Sequence, residues 1–327
     1  MKERKKSKYK LFAAAIIVMV AGAVMCGAAF AAGAANRDAW AKANVKLRAA
    51  QGFYAAPQTV AKTFAADEFT SLDFDIASRD LTIEQGTGDV FELTYKIDFE
   101  NELTYEVKDG ALIFKQNKFT GKNVFGYINI NIDWVLGFFD GWDDAYKAKL
   151  TVPAGFEFEK ISVKCTSGNI KLDKLTAQDL LYVKATSGNI NIDDAVVKSD
   201  TGLIDIRLTS GNLNLKNASA AVVKIDLTSG DAHIGKLAAG KLTAGLTSGN
   251  LTVFESDIKA SAITLTSGNA TFKDMPFASA QTAFGIKVTG GNIRIDGNRN
   301  GSPYNTAPAG AEYSIEAALT SGNFRFN

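Results

Sequence analysis

The residues best suited to ligand chemistry lie between Phe119 and Tyr146, where aromatic rings are interleaved with carboxylates. The candidate binding residues there are Trp134, Phe138, Phe139, Asp140, Trp142, Asp143 and Asp144. Rings supply apolar area and acids supply orientation, as in carbohydrate and peptide binding surfaces. The alternative interpretation is a hairpin or helical flap, packed on the rest of the protein, with buried rings and solvated acids. A calcium loop is a third option, but the stretch lacks the alternating oxygen ligands of an EF-hand.

Catalytic chemistry has little support in the sequence. The one histidine, His233, stands at a polar position of an alternating segment, so we expect it to face solvent. Serine elbows, His-Glu-x-x-His zinc motifs, phosphate loops and paired cysteine ligands are all missing from the sequence. The acid pair Asp193 and Asp194 has no counterpart in the adjacent repeats, which favours a solvated corner. We therefore predict a protein that is not an enzyme and that has no catalytic residues, no metal site and no cofactor.

The scaffold that must position any binding residues is specified by repetition. The tetrapeptide Thr-Ser-Gly-Asn, or a one-letter variant, occurs eight times, beginning at Thr166, Thr186, Thr209, Thr228, Thr247, Thr266, Thr289 and Thr320. The spacings of 20, 23, 19, 19, 19, 23 and 31 residues are typical of solenoid coils. The predicted fold class is all-β: a single-stranded parallel β-solenoid, or β-helix, of roughly 20-residue coils, right-handed by the usual crossover preference.

Each coil is expected to be a strand, a Thr-Ser-Gly-Asn corner and a second strand. Four inward positions are apolar in almost every copy; in the first copy they are Val163, Cys165, Ile170 and Leu172. Coils stacked about 4.8 Å apart would bury these stripes together. The corner glycines would supply a positive φ: Gly168, Gly188, Gly211, Gly230, Gly249, Gly268, Gly290 and Gly322.

An asparagine or aspartate follows the corner in every copy. Stacked in register, these side chains are predicted to form a hydrogen-bonded ladder along the coils. The ladder residues are Asn169, Asn189, Asn212, Asp231, Asn250, Asn269, Asn292 and Asn323.

Strands punctuated by Thr-Ser-Gly-Asn/Asp behind an apolar N-terminal segment resemble a bacterial β-strand-repeat family of unknown function. Its members are described as putative adhesins, and its better-studied relatives belong to cell-envelope stress systems. The resemblance covers roughly residues 60–327, with an opening coil at Phe69–Ile76 and Leu81–Glu84 and a corner-like Gly86–Asp89. It implies an extracytoplasmic β-solenoid with an adhesive or sensory role, and it brings no catalytic residues.

The N-terminus predicts a membrane-targeting segment. Residues 1–10 carry Lys2, Arg4, Lys5, Lys6, Lys8 and Lys10, and no charge then occurs between Leu11 and Asn36. This apolar run reaches the roughly 20 residues needed to span a bilayer, so we favour a retained anchor. The alternative is a signal peptide cleaved after Ala31. The denser basic charge of residues 1–10 predicts a cytoplasmic tail and an exported remainder.

The predicted organisation is a basic cytoplasmic tail (1–10), a transmembrane anchor or signal segment (11–35), a stalk helix and linker (36–59) and a β-solenoid domain (60–327). Within that domain, residues 60–118 are expected to cap the solenoid, and residues 119–146 form the aromatic and acidic flap. At the far end, Phe324 and Phe326 are expected to fill the core mouth. The Gly-, Pro- and Asn-rich stretch 298–310 is expected to be a surface loop.

Net charge and cysteine content limit the classes of partner and of bonding that we expect. A formal charge of +1 gives no reason to expect nucleic acid. Of two cysteines, Cys26 lies in the apolar segment and Cys165 occupies an inward position, so we expect a buried free thiol.

The function predicted from these features is a non-catalytic, membrane-anchored, extracytoplasmic surface for adhesion, ligand binding or envelope-stress sensing. Its expected partners are the membrane, through the N-terminal helix, and cell-wall polymer, glycan or an envelope protein. The expected location is the cell membrane, single-pass, or outside the cell if the N-terminal segment is cleaved. A carbohydrate-active β-helix enzyme and a structural spacer that holds a partner off the membrane remain as alternatives.

Overall fold

The computed structural model describes residues 54, 57–117 and 147–327. Close packing divides the chain into two units. One comprises Gln58–Ile97, Asn101–Phe119 and Ile132–Asn327, and its described part is β-structure. The other comprises Met1–Pro57, Asp98–Glu100 and Thr120–Asn131. Within its described residues, the amide of Tyr54 donates to the carbonyl of Asp98 at 2.6 Å.

The described residues form strands with a single short 3-10 turn at Ser279–Gln281. The first seven strands are β1 (Gln58–Phe64), β2 (Ser71–Ile76), β3 (Asp80–Gln85), β4 (Phe91–Ile97), β5 (Leu103–Lys108), β6 (Ala111–Gln116) and β7 (Lys147–Val152). The next eleven are β8 (Glu157–Ser167), β9 (Ile170–Ser187), β10 (Ile190–Val197), β11 (Leu203–Ser210), β12 (Leu213–Lys216), β13 (Ser219–Ser229), β14 (Ala232–Gly235), β15 (Ala238–Ser248), β16 (Leu251–Phe254), β17 (Asp257–Ser267) and β18 (Ala270–Lys273). The last six are β19 (Thr282–Gly290), β20 (Ile293–Ile295), β21 (Asn298–Asn300), β22 (Tyr304–Thr306), β23 (Tyr313–Ser321) and β24 (Phe324–Phe326).

The strands stack as coils, each contributing one strand to each of two parallel sheets. In coils 1 to 6, a short third parallel ladder also joins neighbouring coils after the second sheet, as between Val196 and Ser219. The first sheet holds the strands that precede a corner, in the spatial order β6, β2, β8, the second half of β9, β11, β13, β15, β17, β23, β19. The second sheet holds the strands that follow a corner, in the order β7, β3, the first half of β9, β10, β12, β14, β16, β18, β24, β20. The predicted all-β parallel solenoid is confirmed.

The C-terminal coil is not at the end of the stack. If the coils are numbered 1 to 8 by their corners along the sequence, coil 8 (β23 and β24) lies between coil 6 (β17 and β18) and coil 7 (β19 and β20). The expectation that Phe324 and Phe326 close the core mouth is therefore wrong. Both rings are buried inside the stack, with Phe324 0% and Phe326 2% exposed.

The opposite end has the same exchange of order. An opening coil (β2 and β3) lies between coil 1 and an end coil made of β6 and β7. Residues 71–85 are thus an inner coil rather than part of a cap. The corner of the opening coil is Ala77–Asp80, because Ile76 aligns with Cys165 and Leu81 with Ile170. The prediction that Gly86–Asp89 forms a corner of the opening coil is wrong, since this stretch connects β3 to the antiparallel strand β4.

Antiparallel strands cover the open edges at both ends of the stack. Strand β5 pairs with β6, β4 with β7 and β1 with β4. At the other end β22 pairs with β19 and β21 with β20. The stretch 298–310, expected to be loop, therefore contains two edge-covering strands. At the C-terminal end the outermost strands, β21 and β22, are three residues long each, and such short edge strands offer little backbone for pairing with other chains.

The corners fit together through a column of glycines. Their φ angles lie between +114° and +154°, which favours residues without a Cβ. Contact is a second constraint: a Cβ on Gly188 would lie 2.1 Å from the carbonyl oxygen of Gly168. In coil 7 the glycine in this column is Gly291, with φ +154°, and not Gly290, which aligns with Ser321.

The asparagine ladder runs beside the glycine column. In each step, the backbone N–H of one corner residue donates to the side-chain oxygen of its neighbour, at 2.7–3.2 Å. The ladder begins at Asp80, which the sequence pattern did not include. From coil 6 onward it follows the exchanged order Asn269, Asn323, Asn292.

A second corner in most coils uses a non-glycine residue with positive φ, a feature that we did not predict. The residues, with φ between +49° and +55°, are Lys174, Asp194, Asn217, Lys236, Glu255, Asp274 and Asp296. Most are Asp or Asn, the side chains that tolerate this left-handed conformation best.

The core is one continuous stripe of apolar residues between the sheets, and an ion pair is buried beside it. Arg79 takes the corner position that glycine has in other coils, and its guanidinium pairs with Glu102. Arg79 is 1% and Glu102 4% exposed. Removing one partner of such a pair leaves a buried charge uncompensated, which is strongly destabilising.

The predicted tail, anchor, most of the stalk and the flap lie outside the described residues. In the part of the chain that the structure describes, no helix is long and apolar enough to span a membrane.

The glycine column generates a stability prediction. We expect Gly230→Ala to lower the free energy of unfolding by about 3 kcal/mol or more, because the new Cβ would combine positive φ with a backbone clash. The added Cβ would lie 1.8 Å from the carbonyl oxygen of Gly211. The control is Gly285→Ala, where the nearest atom lies at 3.7 Å, and we expect a change within about 1 kcal/mol. Urea unfolding of both variants measures the difference, and equal stabilities would contradict the prediction.

The exchanged order of coils 7 and 8 is testable by cross-linking. Thr271 aligns with Arg325, and Arg325 with Arg294. In a Cys26→Ser background, we expect Thr271→Cys with Arg325→Cys to form a disulfide, since neighbouring strands lie about 4.8 Å apart. Thr271→Cys with Arg294→Cys spans two strand spacings and should not cross-link. Non-reducing electrophoresis after mild oxidation distinguishes the pairs, and the reverse result would mean that coils stack in chain order.

Candidate binding surface

The outer surface of the first sheet carries two polar columns beside the corners. One column is formed by the exposed corner threonines. The other holds the residue two positions before each of them, in the stacking order Lys164, Lys184, Arg207, Asp226, Gly245, Thr264, Ala318 and Lys287. The corner threonines repeat in every coil, whereas the second column changes from basic to acidic to small. The surface chemistry therefore varies along an invariant scaffold.

A shallow groove of about 370 Å³ follows these columns across coils 2 to 6. Its polar lining includes Lys184, Arg207, Asp226, Thr228 and Thr247. Gly245 lines the groove and contributes no side chain to it.

Arg207 is held in place by a neighbouring carboxylate and a ring. Its Nε and Nη2 donate to Oδ1 and Oδ2 of Asp205 at 3.2 and 2.8 Å. The guanidinium carbon lies 5.6 Å from the centre of the Tyr182 ring. Asp205 is buried, and its hydrogen bonds with Arg207 raise the pKa of that guanidinium further above its usual value. The result is a fixed, permanently charged donor at the groove edge.

The opposite charge in the groove is Asp226, whose Oδ2 lies 3.2 Å from Nζ of Lys224. Threonine hydroxyls donate and accept, the basic groups donate and the carboxylate accepts. These groups suit recognition of a polar ligand by hydrogen bonds. No nucleophile–base pair lines the groove among the described residues, and no cluster of three His, Cys, Asp or Glu side chains there could hold a metal ion.

The predicted flap residues lie outside the described residues, so the structure does not bring Trp134, Trp142 or their acidic neighbours together with the groove. Their place in the chain is nevertheless defined. Strand β6 ends at Gln116 and β7 begins at Lys147, and these two strands flank the corner position of the end coil. The flap sequence lies between these two strands in the chain.

Sequence reasoning missed the groove because it treated the outward positions only as a solvated surface. One signal was available: Gly245 breaks a column whose other members have side chains. A second was Tyr182, an aromatic residue at an outward strand position. Neither identifies a site until the strand register brings Tyr182, Arg207 and Asp226 onto adjacent strands.

The family model for Toastrack DUF4097 matches residues 69–327. The chain belongs to the Toastrack DUF4097 family. The resemblance inferred from the Thr-Ser-Gly-Asn repeats is thereby confirmed. No match was found among the curated proteins.

Several solved structures are similar to this Toastrack chain at low identity. A putative adhesin from Bacteroides fragilis NCTC 9343 is 13% identical, with a TM-score of 0.47, over 83% of this chain and 97% of that one. A putative adhesin from Parabacteroides distasonis ATCC 8503 is 12% identical, with a TM-score of 0.44, over 83% and 97%. A putative lipid binding protein from the same strain is 12% identical, with a TM-score of 0.31, over 82% and 96%. Similarity at this level transfers no ligand to the Toastrack chain.

Other residues singled out from the sequence lie away from the groove. His233 is exposed on the second sheet, between Asn214 and Thr252. Asp193 accepts a hydrogen bond from Nδ2 of Asn217 at 2.7 Å, and Asp194 forms a second corner with φ +55°. Both acids are exposed, as expected for a solvated corner.

Cys165 is a buried free thiol, as predicted. It is 4% exposed, and its Sγ lies 3.6 Å from the carbonyl oxygen of Arg79. Burial raises the pKa of this thiol above its usual value. The folded state therefore favours the neutral thiol. The resulting stability is fully present below the pKa of an unfolded cysteine and is lost as pH rises through the folded pKa.

We expect Cys165 to resist alkylation in the folded protein. In a Cys26→Ser background, iodoacetamide at pH 8 should react at least about 100-fold more slowly with folded than with urea-unfolded protein, since opening costs about 3 kcal/mol or more. The control is Thr186→Cys with Cys26→Ser and Cys165→Ala, which places one thiol at an exposed corner and should react quickly. Rapid labelling of folded Cys165 would contradict the buried position.

Proposed function

We propose that the protein is a non-catalytic binding surface of the bacterial envelope and that the groove of the first sheet takes a polysaccharide. The observation that carries the proposal is the groove itself, with Arg207 fixed at its edge and Gly245 opening its floor. Charged and hydroxyl groups along one shallow channel are suited to polyhydroxylated ligands, which need many hydrogen bonds.

A linear polymer fits this surface better than a compact ligand. Successive coils are about 4.8 Å apart, and each presents a corner threonine at the same height along the sheet. A chain of repeating sugars lying along the groove would meet a hydroxyl at each coil. The variable column beside it, with Lys184, Arg207 and Asp226, would then distinguish one polymer from another.

The binding groups are largely preorganised. Arg207 is held by both carboxylate oxygens of Asp205, and the threonines project from strands that are paired on both sides. Binding thus costs less conformational entropy than it would on a flexible loop. A rigid, shallow and polar surface of this kind is suited to adhesion or sensing, in which the ligand is retained and not transformed.

The cellular location is part of the same proposal. The basic residues 1–10 and the uncharged run from Leu11 to Asn36 support an anchor in the cell membrane with the solenoid outside. From there the groove would face the wall polymers and glycans of the envelope.

The proposal is tested by filling the groove. We expect Gly245→Tyr to weaken binding of the purified full chain to isolated wall polysaccharide by at least about tenfold, equivalent to about 1.4 kcal/mol, because the ring would occupy the channel floor. Sedimentation with insoluble wall polymer, or titration with released glycan, measures the affinity.

The matched control is Thr252→Tyr, which adds a ring to the same coil on the other sheet and should bind as the unmodified protein does. A Trp134→Ala, Trp142→Ala double variant separates the groove from the flap. Loss of binding in that variant alone would move the site to the flap. If the unmodified chain does not bind wall polysaccharide, the proposal fails, and the spacer interpretation takes its place.

A further inference from the structure

Three arginines form a row across neighbouring strands on the outer surface of the second sheet. Arg325 on β24 aligns with Arg294 on β20, and Arg294 aligns with Arg299 on β21. All three side chains are exposed. Because adjacent strands lie about 4.8 Å apart, the three backbone positions span about 10 Å. Arg325, Arg294 and Arg299 together form the arginine row.

The row is assembled by two features of the fold that the sequence order conceals. Insertion of coil 8 between coils 6 and 7 brings Arg325 beside Arg294; in chain order, Arg294 would lie beside Thr271. A two-residue turn then places Arg299 opposite Arg294. Its residues, Asp296 and Gly297, have φ +50° and +81°, the combination that fixes a tight hairpin. The arginine row therefore sits on rigid, registered strands.

The charges of the row are not balanced by ion pairs within the described residues. No Asp or Glu oxygen in this part of the structure lies within 4.0 Å of a guanidinium nitrogen of the row. Acids do occur at the adjacent second corners. Asp296 accepts a hydrogen bond from Ser279, and Asp274 donates its backbone N–H to Asn327 at 3.0 Å. Like charges directly opposite each other destabilise a sheet, so the row carries a cost that an anion would relieve.

We propose that the arginine row binds the phosphate groups of a linear polyanion. Guanidinium groups bind phosphate through paired N–H donors, and three of them in line match several phosphates along one chain. The same column continues from Arg325 to Thr271 and Thr252, whose half-buried hydroxyls extend the line of donors. This site lies on the second sheet and is independent of the polysaccharide groove on the first.

A membrane surface fits the row less well. Peripheral membrane sites combine basic residues with apolar side chains that enter the lipid. The exposed large hydrophobic residues of the described chain are Val90 and Val107. Val90 directly precedes β4 and Val107 is on β5, so both lie at the opposite end of the stack. The row is thus polar on all sides, with acids at the neighbouring corners, which favours a soluble phosphate chain as the occupant.

The test is titration of the purified full chain with inorganic triphosphate. Binding is measured by calorimetry and by the increase in melting temperature. We expect Arg294→Gln and Arg299→Gln each to weaken binding by about tenfold. Arg294→Lys keeps the charge but not the two-pronged donor geometry and should weaken binding less. Without triphosphate, the two glutamine variants should have a melting temperature equal to or higher than that of the unmodified protein, because repulsion within the row is reduced. A structural role for these arginines would lower it.

The charge-matched control is Lys241→Gln, which removes an exposed lysine of the first sheet and should bind triphosphate as the unmodified chain does. The basic N-terminal residues are present in every variant, so any binding of triphosphate by them is the same in all and cancels from the comparison. The proposal is overturned if the unmodified chain shows no saturable binding, or if Lys241→Gln loses as much affinity as the row variants. Binding to vesicles of anionic phospholipid that triphosphate fails to displace would replace it with a membrane site.

Discussion

The approach of each corner glycine to the next is the constraint on which the rest of the structure depends. A Cβ at these positions would lie 1.7–2.3 Å from a backbone oxygen in the adjacent coil, so only glycine permits the spacing. That spacing sets the register of both sheets at once, since the corner joins a strand of the first to a strand of the second. It also brings each backbone N–H within reach of the neighbouring Asn or Asp side chain. Core columns, outer columns and ladder are thus consequences of one contact.

The exchange of coil order at both ends follows from the problem that every stack of strands has at its edges. An end coil must leave one edge unpaired, and here antiparallel strands from its own connections cover that edge. Strands β4 and β5 lie before the N-terminal end coil in the sequence, and β21 and β22 follow β20. Continuing the chain beyond β22 then requires a place for coil 8, and the position between coils 6 and 7 pairs it on both sides. The C-terminal part of the stack is therefore complete only when residues 313–326 are in place between coils 6 and 7.

The sequence predicts what the repeats determine locally. Alternation gives the strands, the tetrapeptide gives the corners, and the aligned asparagines give the ladder found between Asn169 and Asn269. It does not predict stacking order, because Phe326 and Phe272 occupy equivalent positions in their coils and nothing in either says which coil is adjacent. The corner at Ala77–Asp80 was missed since Arg79 replaces the glycine, and its pairing with Glu102 involves a residue distant in sequence. The groove depends in the same way on register: Tyr182, Arg207 and Asp226 become neighbours only through strand pairing.

Inward and outward positions of the coils are under different physical demands, and this separation explains where function is carried. Inward positions are apolar with few exceptions, such as Ser261. The corner has glycine followed by Asn or Asp in coils 1 to 8, whereas Arg79 precedes Asp80 in the opening coil. Outward positions are limited mainly by charge repulsion and by strand propensity, so they are free to specify a ligand without changing the fold. Outward residues that lower the stability of the coils are therefore the ones most informative about function. Gly245 gives up side-chain packing in a strand, and the arginine row places like charges side by side; each is easier to explain by a ligand than by the stability of the coils.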